Sequence, residues 1–317
     1  MLSMLEKDTV AVIDVGSNSI KLLVARKGSE SKSLEKVFSQ TFETRISAGI
    51  SHQNHELAED AMLAGSQSIA ILVDLARSYE PKAIKIVATS AVRDARNAEQ
   101  FVNRVYNETG VKIDVLTGIE EATFIGRGLR CDPLIEDMEH FIQMDIGGGS
   151  LELIRLSKDS IKKVCSLQLG AVRLTEKLVL DRNLPIAPET EMKIKNHVLQ
   201  AVEASGFRFE PATDPMIVTG GAFSVIRSIL AARSDGMIQN GSPVIYKSDI
   251  AELKKTLCEL PLYKRKNMPG LPEPRADVMP TALITIDTVL EHADRDTVTQ
   301  SSYNLRYGIA AELLARP

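Results

Sequence analysis

The chain of 317 residues predicts an α/β protein made of two related halves, each a mixed sheet flanked by helices. Three observations predict it. The length exceeds what one hydrophobic core usually serves. Apolar runs of strand length alternate with helical patterns along the whole sequence. Most tellingly, "AVIDVGSNSIKLLVA" from Ala11 has a counterpart in "IQMDIGGGSLELIRL" from Ile142: Asp14 falls on Asp145, Gly16 on Gly147, Ser19 on Ser150 and Leu22 on Leu153, an unbroken offset of 131 residues, 14 against 145. Each copy reads as an apolar strand, a polar glycine turn and a second strand, so each half contains an antiparallel hairpin. Two such hairpins from duplicated halves can face each other across a cleft.

The elements follow in order. After the first hairpin, "HELAEDAMLAGSQSIAILVDLARSYE" repeats apolar residues at helical spacing (Leu57, Ala61, Ala64, Ile69, Leu72, Leu75), and "AIKIVATS" is a buried-strand pattern ending at Thr89 and Ser90. "AEQFVNRVYNETG" predicts a helix stopped by Gly110, "VKIDVLTG" a strand and "EEATFIGRGLR" another helix. Beyond the second hairpin come a strand "SIKKVCSLQL", helices "AVRLTEKLVL" and "APETEMKIKNHVLQAVEAS", and "PMIVTGGAFSVIRSILAA", a strand that runs through Gly220-Gly221 into a helix. A Pro-rich link at "NMPGLPEPR" precedes a helix "ADVMPTALITIDTVLEHA" with Pro280 inside it, a strand "RDTVTQSS" and a final helix.

Composition narrows the function classes. The chain is 44% hydrophobic and 25% charged with a net charge of −4, no Trp and few aromatics. It lacks the basic face and stacking residues of a dedicated DNA- or RNA-binding domain. Its longest apolar stretches fall well short of the ~20 residues of a membrane span, and "MLSMLEKD" has no apolar signal core, so no membrane partner and a cytoplasmic location are expected. Cys131, Cys165 and Cys258 are odd in number and far apart, which predicts reduced, buried thiols. P-loop, dinucleotide, serine-hydrolase and zinc-protease motifs are absent. His52 and His55 lack a partner at metal-ligand spacing and read as a solvated loop.

Four Gly- or Ser-rich turns end strands: Asp14 to Ser19, Thr89-Ser90, Asp145 to Ser150 and Gly220-Gly221. Each is also an ordinary turn composition. Such turns nonetheless aim successive N–H groups into one concavity, and two of them lead into helices, so phosphate is the natural guest. The run Gly147-Gly148-Gly149 permits close approach of an anion to the main chain. Glu120 and Glu121 stand at a helix start, where the macrodipole alone accounts for them. Successive helix positions diverge by ~100°, however, so one faces solvent while the other can face the cleft. A glutamate near an anionic substrate and away from water is expected to serve as a general base. Arg93 follows a strand-end turn by three positions and suits a bidentate phosphate contact.

With those residues in place, the sequence resembles the exopolyphosphatase and guanosine pentaphosphate phosphohydrolase (Ppx/GppA) family of the actin-like ATPase superfamily. The carriers are "IDVGSNSIKLLVA", "ATSAVRDARNAEQF", "TGIEEA", "DIGGGSLEL", "SLQLGAVRLTE" and "IVTGGAFSVI", in family order, with weaker similarity near "RADVMPTALIT". The resemblance implies two actin-like (ribonuclease H-like) domains, 1–130 joined by the C-terminal helix 304–317, and 131–303. It implies Glu121 as the base activating water. Asp145 and Glu152, with Asp14 nearby, would hold Mg²⁺ (or Mn²⁺). Arg93, Ser17, Asn18, Gly148, Gly149, Ser150, Gly220 and Gly221 would cradle phosphates. The implied substrates are polyphosphate, guanosine pentaphosphate (pppGpp) or both, with a homodimer compatible and no DNA partner.

Two departures qualify this. Leu151 replaces the Thr of "DIGGGSTE", and "YNLRYG" replaces G-L-R-E-G, placing Asn304 for Gly and Tyr307 for the acid. The chain also matches a short branch without the helical HD-type domain of longer members. A non-catalytic sensor of polyphosphate or (p)ppGpp, and an actin-like kinase, are the alternative readings. Lys193, Lys195, Lys264, Arg265 and Lys266 are candidates for a basic track along polyphosphate.

Overall fold

In each half one strand, "VAVIDV" or "FIQMDI", is mostly apolar, the pattern of a strand buried inside a sheet covered on both sides. In a computed structural model, which describes residues 9–28, 34–50, 55–157, 160–209, 213–233 and 242–316, that pattern produces two compact units. Unit 1 is Met1–Met138 with Ser302–Pro317, and unit 2 is Glu139–Ser301.

In unit 1, β1 (Val10–Val15) pairs antiparallel with β2 (Ile20–Lys27), which pairs with β3 (Leu34–Phe42). On its other side β1 runs parallel to β4 (Ala83–Ala88), followed by β5 (Ile113–Val115), giving the order β3-β2-β1-β4-β5. Ala11, Ile13 and Val15 share a core with Ile69, Leu72 and Val73 of α1 (Glu59–Arg77) and with Phe101 and Val105 of α3 (Ala98–Thr109). Alternation puts Val12 and Asp14 on the opposite face. There α11 (Leu305–Ala315) packs on β1 and on α4 (Gly118–Leu129). Gly110 ends α3 with a left-handed φ of 72°. A four-residue turn of helix, α2 (Ser90–Arg93), follows β4.

Unit 2 repeats the plan with β6 (His140–Ile146), β7 (Leu151–Ser157) and β8 (Ser160–Leu167) antiparallel, and β9 (Met216–Thr219) parallel to β6. β10 (Val244–Tyr246) and β11 (Thr297–Gln300) complete the order β10-β11-β9-β6-β7-β8. The helices are α5 (Ala171–Leu178), α6 (Pro188–Ala204), α7 (Gly221–Arg233), α8 (Lys247–Glu259), α9 (Leu262–Arg265) and α10 (Met279–His292). Met279 to Leu290 of α10 are all buried, the helix being packed among α5, α6 and α8, with Asp287 paired to Lys254.

Several expectations change. Pro280 lies in the first turn of α10, where its missing N–H leaves no hydrogen bond unmade, so the helix starts at Met279 and contains no internal break. The strand expected at 111–118 shrinks to three residues, because Thr117 caps the next helix. The sequence pattern does not predict β3 or α8: β3 is a half-exposed edge strand without clear apolar alternation, and α8 turns only Ile250, Leu253, Leu257 and Cys258 to the core. Cys258 is buried, but Cys131 and Cys165 are half-buried; all three are free thiols. His52 lies outside the described residues. Among those described, no helix is long and apolar enough to cross a membrane.

Candidate active site

The second hairpin places its functional side chains in one row across the sheet. Register pairs Ser166 with Glu152, Glu152 with Asp145 and Asp145 with Thr219, on β8, β7, β6 and β9 in turn. Directly opposed residues share a face, so two carboxylates stand side by side with a hydroxyl at each end. Ser166 Oγ donates to Glu152 Oε1 at 2.8 Å, and Thr219 Oγ1 donates to Asp145 Oδ2. Leu151, one residue from Glu152, is fully buried in the apolar core on the other face. The departure from Thr at that position therefore changes core packing and leaves the carboxylate face intact.

The turn between the two strands is held by α5. Ala171 N–H donates to Gly147 O at 3.0 Å, Val172 and Arg173 N–H to Gly148 O at 2.9 and 3.0 Å, and Arg173 Nε to Gly149 O at 2.8 Å. A Cβ on Gly170 would overlap the Gly148-Gly149 backbone, so at that point the two segments meet main chain to main chain. In a trans peptide the C=O and the following N–H point opposite ways. Carbonyls 147, 148 and 149 turned toward α5 thus turn the N–H groups of Gly148, Gly149 and Ser150 away from it, and among the described residues no acceptor takes them. Three consecutive aligned donors make an anion-binding concavity.

The turn after β9 lies against this row. Gly220 has φ 103°, and a Cβ there would stand 2.6 Å from Ile146 O and 2.8 Å from Asp145 Oδ1, so only glycine fits. Gly221 opens α7, and a Cβ on it would lie 2.9 Å from Cζ and Nη2 of Arg275. Arg275, buried beside the positive end of α7, is a functional candidate that the sequence reading missed. Its only signal was membership of "RADVMPTALIT".

Unit 1 carries the remaining residues. Glu120 and Glu121 separate as expected. Glu120 is exposed and closes a capping box with Thr117, its Oε2 accepting from Thr117 N–H at 2.8 Å while its own N–H reaches Thr117 Oγ1 at 3.2 Å. Hydrogen bonds from the Thr117 backbone and side chain hold Glu120 below the ordinary carboxylate range. Glu121 is buried, and Arg93 Nη1 donates to its Oε2 at 2.8 Å and to Leu116 O at 3.1 Å. The expected base and the expected phosphate-binding cation are therefore an ion pair.

In the first turn, Ser47 donates to Ser17 O from its N–H at 3.2 Å and from Oγ at 3.0 Å. Asn18 does not project an unengaged amide: Nδ2 donates to Glu43 Oε2 at 3.0 Å, and Oδ1 accepts from Arg45 Nε at 2.8 Å. Arg45 is a second cation beside a phosphate-type turn that sequence reasoning missed, since it lies 27 residues from Asn18. Asp14 pairs in register with Lys21. Burial pushes its carboxyl up, against the pull of Lys21 and Arg306. The second departure is satisfied locally: Asn304 Oδ1 caps α11 by accepting from Arg306 N–H at 3.2 Å, and Tyr307 is buried with its ring centroid 4.3 Å from that of Tyr303.

The oxygen-only pair Asp145 and Glu152 fits a hard divalent cation. Mg²⁺ characteristically takes one or two carboxylates and completes its shell with water and substrate phosphate. Among the described residues no group of three His, Cys, Asp or Glu converges. Asp14 fits less well as a ligand, because Lys21 and Arg306 already balance its charge. The basic track also changes. Arg265 is fully buried and donates to the carbonyls of Leu260, Ala276, Arg182 and Leu184, while Lys195 and Lys266 pair with Glu291 and Glu273.

Two mixed α/β units with duplicated Asp-Gly hairpins, a turn with three outward N–H groups and a carboxylate pair define the class of fold and site. The Ppx/GppA phosphatase family profile matches residues 23–316, and the chain belongs to that family. A relative from Photobacterium profundum, a guanosine-5'-triphosphate,3'-diphosphate pyrophosphatase, is 26% identical over 309 residues, covering 96% of this chain; the chain spans 59% of that relative's length. Among solved structures, an exopolyphosphatase from Cytophaga hutchinsonii superposes with a TM-score of 0.86 at 22% identity, covering 97% of this chain and 98% of the other. The Ppx/GppA family member from Aquifex aeolicus gives 0.76 at 22% identity, with 97% of each chain covered. These structures share the two-sheet α/β fold of this chain.

Proposed function

We propose that the chain is a phosphohydrolase that releases the terminal phosphoryl group of inorganic polyphosphate, guanosine pentaphosphate or both by in-line attack of water. The observation that carries this reading is the turn of Gly148, Gly149 and Ser150, with three outward N–H groups beside the Asp145–Glu152 pair. Phosphoryl transfer needs positioning and charge stabilisation more than covalent chemistry. The N–H groups of Gly148, Gly149 and Ser150, with Gly220 and Gly221 at the start of α7, bind phosphate oxygens and stabilise charge developing on them. Ser17 and Asn18 contribute the first turn through main chain, and Asp14 anchors its base.

Asp145 and Glu152 would hold Mg²⁺ or Mn²⁺, which when bound supplies Lewis-acid stabilisation of the phosphoryl oxygens. Glu121 takes the proton of the attacking water. Its pairing with Arg93 suggests the order of events: an arriving phosphate chain competes for the guanidinium, and the carboxylate released from Arg93 turns to water.

The test is phosphate release from long-chain polyphosphate and from guanosine pentaphosphate, side by side, in Mg²⁺ and in EDTA. Metal-dependent release from either substrate is expected, and the preferred one fixes specificity. Tight binding of both without release would overturn the reading in favour of a sensor.

A further inference from the structure

Behind Asp145 lies a second polar residue that the proposed chemistry does not use. Gln143 sits on β6 two positions before Asp145, on the same face, and is completely buried. Its Nε2 donates to Thr219 Oγ1 at 2.9 Å, and Thr219, also fully buried, donates to Asp145 Oδ2. A hydroxyl has one proton to give. With the amide N–H of Gln143 directed at its oxygen, that proton goes to the carboxylate, and the chain has a single direction from amide to hydroxyl to carboxylate. Gln143 Oε1, by contrast, is buried with no partner among the described residues. Folding alone disfavours such an orphan acceptor.

Unit 1 shows that the sheet does not require these groups. By the repeat offset Gln143 corresponds to Val12, and the register partner of Asp14 on β4 is Val87 where Asp145 has Thr219. Both valines are fully buried. The next residue in the row differs as well: Asp14 faces Lys21 where Asp145 faces Glu152. The polar chain therefore occurs in the half that has two carboxylates, and valines replace it in the half where a lysine neutralises one.

We infer that Gln143 and Thr219 are positioning residues that lock the Asp145 carboxylate for a divalent cation shared with Glu152. The inference rests on the reading of Asp145 and Glu152 as cation ligands. Residues behind a ligand that fix its orientation typically change metal affinity by about 10–100-fold. Thr219 fixes the rotation of the carboxylate about its last bond, and Gln143 fixes the hydroxyl rotor.

The experiment is Mn²⁺ titration of the full chain, followed by electron paramagnetic resonance, with and without imidodiphosphate. The proteins are the unaltered chain, Gln143→Met, Thr219→Val, Thr219→Ser and Asp145→Asn, each checked for cooperative unfolding. Gln143→Met and Thr219→Val are expected to weaken Mn²⁺ by about 10–100-fold, and Thr219→Ser to restore most of the affinity. If Thr219→Val fails to fold, the nearly isosteric Gln143→Met carries the test. Unchanged affinity in folded Gln143→Met and Thr219→Val, with binding lost in Asp145→Asn, overturns this inference alone. A Thr219→Ser protein as weak as Thr219→Val overturns the role of the hydroxyl. Full affinity in Asp145→Asn, or no Mn²⁺ binding by the unaltered chain, overturns the ligand reading beneath it.

Discussion

Replacing Gly308 by alanine sets two physical effects against each other. In an ordinary helix interior, Gly→Ala stabilises by roughly 0.5–1 kcal/mol because the unfolded chain loses freedom. Gly308, however, lies where α11 crosses α4. A Cβ there would stand 2.8 Å from the Phe124 carbonyl carbon, closer still to its oxygen, and 3.0 Å from Gly128 N. The contact is reciprocal, since a Cβ on Gly128 would lie 2.9 Å from Asn304 C and from Gly308 N. Every opposing atom is backbone, so no side chain can swing aside and the helices must part by about 1 Å, an overpacking that costs about 1–3 kcal/mol. The net expectation is a loss of about 1–2 kcal/mol, or a fall in Tm of about 3–8 °C for a unit of this size. Thermal unfolding followed by circular dichroism and calorimetry reads it. Because α4 carries Glu121, displacement of that order also lowers kcat, by up to about 10²-fold. A Gly308→Ala protein with a Tm at or above that of the parent would refute the reasoning, for then propensity would be the only effect present.

Glu121→Gln is expected to lower phosphate release by about 10²–10⁴-fold while substrate binding persists, because the amide keeps shape but takes no proton; turnover near the parent rate removes Glu121 from the role of base. Arg265→Leu is expected to cost at least about 3 kcal/mol in urea unfolding, since four carbonyls lose a buried donor. A basic-track role would instead show as weaker polyphosphate binding at unchanged stability. Burial pushes the Cys131 thiol up to about 11, with Asp132 adding to it, and the Cys258 thiol up to about 12. In native protein at pH 8 both are expected to react with iodoacetamide at least about 100-fold more slowly than free cysteine, because the thiolate is the nucleophile. Mass spectrometry of the alkylated peptides measures this, and rapid labelling of Cys131 would contradict it.

Much of the site was legible in the spacing of the chain. The Asp-Gly turns, the Gly220-Gly221 strand-to-helix junction and the Glu120-Glu121 pair are local patterns, and a helix turns Glu121 inward and Glu120 outward by its own geometry. The capping box that starts that helix is likewise contained within four residues. Where the reading went astray, the missing information was a distant neighbour. Arg265 looked like one of three adjacent surface cations, yet the carbonyls of Arg182 and Leu184, more than eighty positions away in sequence, bury it. Likewise only the folded chain shows that Glu43 and Arg45 engage both ends of the Asn18 side-chain amide, leaving its main chain to the turn.

Residue type at short spacing was enough to establish the duplication, the alternation of strands and helices, and the turns that present N–H groups. Which carboxylate meets which neighbour was left to the folded chain. Asp14 and Asp145 are the same letter in the same motif, but strand pairing sets one between Lys21 and Val87 and the other between Glu152 and Thr219. Partners across a sheet come from segments brought together by folding, and the charge of a site depends on those partners as much as on the motif.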